Sequence, residues 1–460
     1  MFGARTRLPP GPWYPEPFSA GRALRRDAIG TTMNVWREYG DLACIRMGPL
    51  RLYMAFHPDD VKHVLQENNQ NYTKGSLIAR ARVVIGNGLF TSEGPFWRRQ
   101  RRLIQPAFHR QRIAGFVNTM AACTGDTLDH WERHADTGRP LDVAEAMNHL
   151  TLTIVGKTLF GRDLSRETGP AGRALSRVLT ITAERVMSYL ALPLWIPTPR
   201  NREFVRTQRV LDDVVLGIIE ERRRDEGGTD DLLGMLLAAR DEATGEGMTD
   251  LQLRDEVMTF FLAGHETTAV ATSWTWYLLD RHPEVAERLS AEVRAVLGDR
   301  PPALDDIPAL SYARMVVQEA MRLYPPLWGL SRETIGPDRL GDYDVPGHRI
   351  VAMSPYVTHR HPDFWDEPER FDPERFGPEH VAERHRFAYI PFGGGPRLCI
   401  GNEFALTEAQ VILAMVMQRY RLHRIDTRPI ELEPHLTLRP RGGLPMRIER
   451  IGSQAGAAVA

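Results

Sequence analysis

A stretch that starts at Thr249 and stops near His282-Pro283 limits the fold more than any other part of this chain. Thr249-Asp-Leu-Gln252 has the form of a helix capping box, in which the threonine and glutamine side chains satisfy each other's backbone N–H groups. No glycine or proline follows before Ala263, and Pro283 supplies the stop. The spacing predicts one helix of about 32 residues, roughly 48 Å at 1.5 Å each, long enough to cross a large domain. Its segment Val257-Met-Thr-Phe-Phe-Leu262 is apolar nearly all round, so other elements must enclose it. A chain of 460 residues, 42% hydrophobic and 25% charged, has the material for such a core.

Midway along this helix the apolar run is broken by Ala263-Gly-His-Glu-Thr-Thr268. A carboxylate and two hydroxyls in a buried helix cost free energy unless they find partners. Gly264 removes a side chain, and a nearby hydroxyl can bond back to a carbonyl. A local opening of the helix and an ordinary kink with satisfied polar groups are both compatible with this segment.

Cysteine is scarce. Cys44, Cys123 and Cys399 cannot make a disulfide framework, and the count suits a reducing cytoplasm. Cys399 lies in Pro391-Phe-Gly-Gly-Gly-Pro-Arg-Leu-Cys-Ile-Gly401, where three glycines and a proline predict a tight, preset loop. Ala405, Ala409, Ile412 and Val416 then recur at helical spacing. Cys399 is therefore expected at a helix entrance, where free N–H groups and the dipole favour a thiolate able to ligate a metal. A lone cysteine is otherwise a small buried hydrophobe. A phosphate loop would need Gly-Lys-Ser/Thr, which is missing, and zinc would need more than the upstream His380 and His385.

Around these landmarks the chain reads as mainly α with a small β part. A Pro-rich, extended lead-in (1–20) precedes one domain over 21–451, and 452–460 is expected to be a disordered tail. Alternation in Leu42–Phe56 around Gly48-Pro49 predicts a β-hairpin, and a helical pattern holds from there to about residue 330. Short strands are expected within Gly336–Val351 and Leu436–Ile448. The net charge of −1 gives no reason to expect a nucleic-acid partner. Neither a signal peptide nor an apolar run of about 18 residues is present, so a cytoplasmic protein without membrane anchor is expected, and a monomer.

Phe392-x-x-Gly395-x-Arg397-x-Cys399-x-Gly401 resembles the heme-binding signature of the cytochrome P-450 family. Ala263-Gly264-His265-Glu266-Thr267 is similar to the family's oxygen-side helix motif, Glu319-Ala-Met-Arg322 to its Glu-x-x-Arg, and Trp97-Arg-Arg-Gln-Arg101 to its Trp-x-x-x-Arg. Phe371-Asp-Pro-Glu-Arg375-Phe376 follows at the family's distance, and the resemblance runs from about Leu42 to Arg450. It implies the single-domain fold of that family, a triangular prism with heme b between the long central helix and the cysteine-loop helix. In that fold Cys399 would be the axial ligand of the heme iron. Arg397, Trp97, Arg101 and Arg332 would meet the heme propionates, and Phe392 would pack near the sulfur within the loop shaped by Gly395 and Gly401. Ala263 would border the cofactor, Gly264 would belong to the oxygen-binding face, and Glu266 and Thr267 would help deliver protons to bound dioxygen. Glu319, Arg322 and Arg375 would form a buried structural cluster. Arg98, Arg99 and Arg102 read as a solvated basic face, and basic residues around their helix could dock an acidic electron-transfer partner.

The resemblance implies a monooxygenase that takes O2 as co-substrate and electrons from NAD(P)H. No flavin or iron–sulfur segment follows the cysteine-loop helix, so a separate ferredoxin and ferredoxin reductase, or a flavodoxin, are the expected donors. By the same resemblance Ile85, Phe90, Phe260, Ala263, Leu327, Trp328 and Leu330 would line the pocket. Their apolar character suits a hydrophobic small molecule such as a terpenoid, fatty acid or polyketide, with the first two favoured. The rivals are a peroxide-driven or isomerising heme-thiolate enzyme and a non-enzymatic heme protein that senses or carries a ligand. Intact Glu266 and Thr267 speak for the oxygenase.

Overall fold

A computed structural model describes residues 7–14, 21, 23–24, 26–162, 193–224, 231–242 and 244–451. Among them the helices of seven residues or more are α1 (Ala28–Tyr39), α2 (Gly94–Ile104), α3 (Arg110–Thr137), α4 (Val143–Phe160), α5 (Pro199–Arg224), α6 (Leu232–Ala238), α7 (Asp250–Arg281), α8 (Pro283–Leu297), α9 (Ser311–Leu323) and α10 (Asn402–Arg419). The strands are β1 (Trp13–Tyr14), β2 (Leu42–Met47), β3 (Leu50–Ala55), β4 (Tyr72–Thr73), β5 (Leu141–Asp142), β6 (Leu330–Thr334), β7 (Asp338–Leu340), β8 (Tyr343–Val345), β9 (Ile350–Met353), β10 (Tyr420–Arg424), β11 (Leu432–Pro434), β12 (Leu438–Pro440) and β13 (Pro445–Arg450). The expected tail lies outside the described residues.

The long helix is α7, 32 residues from Asp250 to Arg281, and its capping box is formed: Thr249 Oγ1 accepts the Gln252 N–H at 3.3 Å and Gln252 Oε1 the Thr249 N–H at 2.8 Å. From Leu253 to Leu279 it is enclosed everywhere except at Leu262, Ala263, Gly264 and Thr267. Burial on nearly all sides explains its uniform apolarity, since each enclosed Val, Leu or Phe side chain contributes about 1.5–3 kcal/mol. α4 lies alongside: Thr151 Oγ1 donates to the His265 carbonyl at 2.9 Å, and a Cβ at Gly264 would stand 3.0 Å from Val155 Cγ2. Gly264 therefore admits a neighbouring helix, and α7 stays helical through the Ala263–Thr268 segment. α10, buried almost throughout from Phe404 to Met417, packs against α7, α9 and α3.

To one side lies a six-stranded sheet in the order β1-β2-β3-β9-β6-β4. The hairpin at Gly48-Pro49 is present, with Met47 opposite Leu50. β9 runs parallel to β3 and antiparallel to β6, which makes β6 an inner strand and carries Arg332 into the molecule. β6 begins at Leu330, earlier than the alternation after Gly336 indicates. The described part of the Pro-rich lead-in, residues 7–14, is hydrogen-bonded to the sheet: the carbonyls of Pro10 and Pro12 accept the N–H groups of Cys44 (2.8 Å) and Arg46 (3.0 Å). Prolines fit there because β1 is an edge strand that needs only to accept. The smaller sheets are β10-β13-β5, β11-β12 and β7-β8. Among the described residues no helix is long and apolar enough to cross a membrane.

Candidate active site

The cysteine loop closes on itself before α10 begins. The Cys399 N–H donates to the Phe392 carbonyl at 3.0 Å and the Leu398 N–H to the Gly395 carbonyl at 3.1 Å. Gly395 sits at φ +64°, and a Cβ there would lie 1.9 Å from the Leu65 carbonyl oxygen, so no other residue fits this turn. Gly401 caps α10, its carbonyl accepting the Ala405 N–H at 2.9 Å. The Cys399 side chain is exposed on one side and enclosed by protein on the others. That enclosure pushes its thiol above the usual value, against the Gly401 N–H, Arg101 and Lys74, which pull it down. The loop leads straight into α10, which starts at Asn402. A coordinated metal ion would deprotonate the sulfur outright.

Four cations converge beside this loop. The Arg397 guanidinium lies 3.8 Å from the centre of the Trp97 ring, donates to the Ser92 carbonyl at 2.8 Å and pairs with Glu93. Arg101, one turn from Trp97 on α2, donates to the Leu398 carbonyl at 3.0 Å. Arg332 comes from β6, and Lys74 stands 4.3 Å over the Phe90 ring and bonds the Phe90 carbonyl. Burial pushes Arg332 and Arg397 down to about 10 and Lys74 well below its usual value. Mutual repulsion adds to this: Arg332 and Arg397 both act on Lys74, while Glu93 is the carboxylate that opposes them. One carboxylate among four inward cations leaves positive charge that a doubly anionic cofactor would neutralise. A thiol ligand beside such a cradle fits a heme with its two propionates.

On α7 the accessible strip is Ala263, Gly264 and Thr267, one helical face, with Ala263 the exposed residue in an otherwise enclosed span. Thr267 Oγ1 donates back to the Ala263 carbonyl at 2.8 Å. Glu266 turns elsewhere. Its Oε1 accepts Thr437 Oγ1 (2.5 Å) and Arg439 Nε (2.8 Å) and Nη2 (2.5 Å), which binds α7 to β12. His265 is buried with Nδ1 2.9 Å from the Phe261 carbonyl, and burial lowers its pKa.

Behind the loop, Arg322 meets Glu319 through two bonds of 2.7 and 2.8 Å, both residues having no exposed surface. Arg375 Nε stands 3.6 Å from the same carboxylate. The three side chains thus meet at one carboxylate. The pocket candidates divide. Ile85 and Phe90 lie on the chain segment leading to Glu93, and Ala263 on the open strip. Phe260 is buried against Phe108 (5.3 Å between rings), and Phe108 is the residue nearest to a Cβ at Gly401. Trp328 packs into the core between α1 and the sheet, its N–H bonded to the His435 carbonyl at 3.0 Å; Leu327 and Leu330 are half-buried.

Lys74, Glu93, Thr437 and Arg439 escape sequence reasoning. Each is a lone polar residue without motif spacing, and Arg439 meets its partner from 173 positions away. Asp41, His57 and His361 also come within 4.8 Å of one another. They form a hydrogen-bonded cluster: Nδ1 of each ring accepts a backbone N–H, from Asp59 (3.2 Å) and Asp363 (3.3 Å), and His361 Nε2 meets Asp41 at 3.0 Å.

A buried helix with a small-residue strip, a cysteine on a glycine turn and a cradle of cations are the parts that a heme-thiolate protein needs. The Cytochrome P450 family model matches residues 9–445. Similar proteins include cyclooctat-9-en-7-ol 5-monooxygenase of Streptomyces melanosporofaciens, 37% identical over 86% of this chain and 88% of that one. Pentalenene oxygenase of Streptomyces avermitilis is 35% identical over 87% and 89%. The heme domain of cytochrome P450DA superposes with a TM-score of 0.87 at 29% identity, over 97% of this chain and 99% of that one. The chain belongs to the cytochrome P450 family.

Proposed function

We propose that the protein is a monooxygenase that places one oxygen atom of dioxygen into a C–H bond of a cyclic terpenoid. The observation that carries this reading is the accessible strip Ala263-Gly264-Thr267 in a buried helix of a protein whose loop presents Cys399. Bound heme would supply the redox chemistry, as cofactors do; the chain binds, orients and moves protons. Cys399 would hold the iron through its sulfur. Arg101, Arg332, Arg397 and Lys74, with the Trp97 ring stacked on Arg397, would hold the propionates by charge-assisted bonds. The Thr267 hydroxyl, anchored on the Ala263 carbonyl, would position a proton at the oxygen side. Glu266 would act one step away, since Arg439 and Thr437 occupy it.

The terpenoid class is supported by the relatives cyclooctat-9-en-7-ol 5-monooxygenase, cyclooctatin synthase (38% identical) and pentalenene oxygenase. Electrons from NAD(P)H would arrive through ferredoxin and its reductase, or flavodoxin. A shallow groove lined by Trp97, Arg98, Arg101, Arg102, Pro106 and His109 gives an acidic partner a basic landing site. The test is a panel of cyclic terpenes and terpene alcohols, alongside fatty acids, titrated into the heme-loaded protein. A shift of the iron to high spin with a terpene, then hydroxylated product with NADPH and surrogate redox proteins, is expected. Turnover confined to fatty acids, or to peroxide without redox proteins, would overturn it.

A further inference from the structure

Two carboxylates near the start of α7, Asp255 and Glu256, take no part in the site described above, and both are buried. They face a strap of chain running from Arg82 to Glu93. Asp255 Oδ2 accepts the Asn87 N–H at 2.7 Å, and its Oδ1 is held by Arg254 at 2.8 Å. The same guanidinium reaches Asp212 of α5 (2.9 Å) and the Val84 carbonyl (3.2 Å). Glu256 Oε2 accepts the Leu89 N–H at 2.9 Å and its Oε1 the Gln100 amide of α2 at 3.2 Å. The strap lies so close that a Cβ at Gly86 would stand 1.9 Å from Asp255 Oδ1, and one at Gly88 2.4 Å from Thr259 Oγ1. Its far end is tied to the cation cradle, with Phe90 on Lys74 and with Ser92 and Glu93 on Arg397. One strap thus joins α7 to the cysteine loop, and Ile85 and Phe90 ride on it.

Among the described residues Glu256 has no cation of its own. The charge acting on it is that of Asp255 on the same helix turn, already paired with Arg254; α2 offers the neutral Gln100 and the strap one backbone N–H. Among the described residues Gln100 Oε1 is buried without a donor. Turning that amide over would give Oε1 the O–H of a protonated Glu256, an arrangement the ionised form cannot supply.

We propose that Glu256 is a positioning residue that works as a neutral carboxylic acid, holding the strap against α7 and loosening it on ionisation. For its effect on substrate this rests on Ile85 and Phe90 being pocket wall; its test does not. Burial pushes Glu256 from 4.5 up to about 7, whereas in a lifted strap water would return it to the ordinary value. Docking the strap therefore takes up a proton across that window. The grip is full below the ordinary value, weakens by at most about tenfold per pH unit as pH rises, and is level above about 7.

The test uses the heme-loaded protein without substrate. Infrared spectroscopy at pH 6 should show the C=O stretch of a buried protonated carboxyl that disappears in Glu256→Gln. Hydrogen exchange of the peptide covering the strap, corrected for intrinsic rates, should show protection falling as pH rises to about 7 in the parent and flat in Glu256→Gln. The amide keeps an acceptor for Leu89 without titrating. A carboxyl band unaffected by Glu256→Gln, or the same pH slope in both proteins, overturns the proposal. Should the variant fail to fold, a parent protection profile without pH dependence across the window overturns it alone.

Discussion

Arg322 is the most exacting place to test the packing behind the cysteine loop. Besides its two bonds to Glu319, it donates to the carbonyls of His359 (3.0 Å), Pro368 (2.6 Å) and Arg370 (2.9 Å), so five bonds converge on one guanidinium. Arg322→Ala leaves Glu319 with the Asp372 N–H at 2.9 Å and Arg375 at 3.6 Å, and strips a donor from each carbonyl. Breaking a buried ion pair from one side costs about 3–5 kcal/mol, and each orphaned carbonyl about 1 kcal/mol more. Burial already raises the Glu319 pKa, so protonation relieves part of this. The expected net loss is on the order of 5 kcal/mol, comparable with the whole stability of many domains. Arg322→Lys can still meet Glu319 but cannot fork to three carbonyls, and about 2–3 kcal/mol is expected. Urea unfolding of the heme-loaded protein, followed by far-UV circular dichroism, reads both as midpoint shifts at unchanged slope. If Arg322→Ala unfolds within about 1 kcal/mol of the parent, the reasoning about this cluster is refuted.

Three further outcomes are expected. Gly395→Ala places a Cβ 1.9 Å from the Leu65 carbonyl at φ +64°; it should cost about 1–2 kcal/mol from the backbone alone and more from the collision, read as a lower unfolding midpoint and incomplete heme uptake. Thr267→Ala should lower product formed per NADPH consumed by on the order of tenfold, with heme content unchanged; full coupling would remove Thr267 from proton delivery. His359 is buried, and burial with the nearby Arg322 pushes its pKa down to about 3. A group depressed in the folded state contributes stability that is complete above the ordinary imidazole value near 6.5 and drains as pH falls towards 3, by about 1.4 kcal/mol per unit. His359→Gln should flatten that acid limb in unfolding titrations; an unchanged limb assigns the loss to other groups.

What the sequence made legible were features with local causes. The capping box, the Pro283 stop and the absence of glycine and proline up to Ala263 produce α7 with the expected length, and the glycine turn produces the cysteine loop. Glu319 and Arg322 are three residues apart on one helix, so their pairing was readable, and Arg375 joined through its motif spacing. Long-range partners were not readable. The direction of Glu266 depends on β12 arriving from the C-terminal part of the chain, and Lys74 enters the cradle only once β4 pairs with β6. The ring contact of Phe260 with Phe108 is likewise long-range, and an apolar residue carries no mark of its partner.

The bond on which the account stands is that between the Cys399 sulfur and heme iron. The direct measurement is the absorption spectrum of the purified protein reduced under carbon monoxide, for the parent and for Cys399→Ser. The parent should give the red-shifted Soret band of a thiolate-ligated ferrous carbonyl heme, and the variant should lose it while retaining the fold by circular dichroism. A parent without that band, or a serine variant that keeps it, contradicts the account.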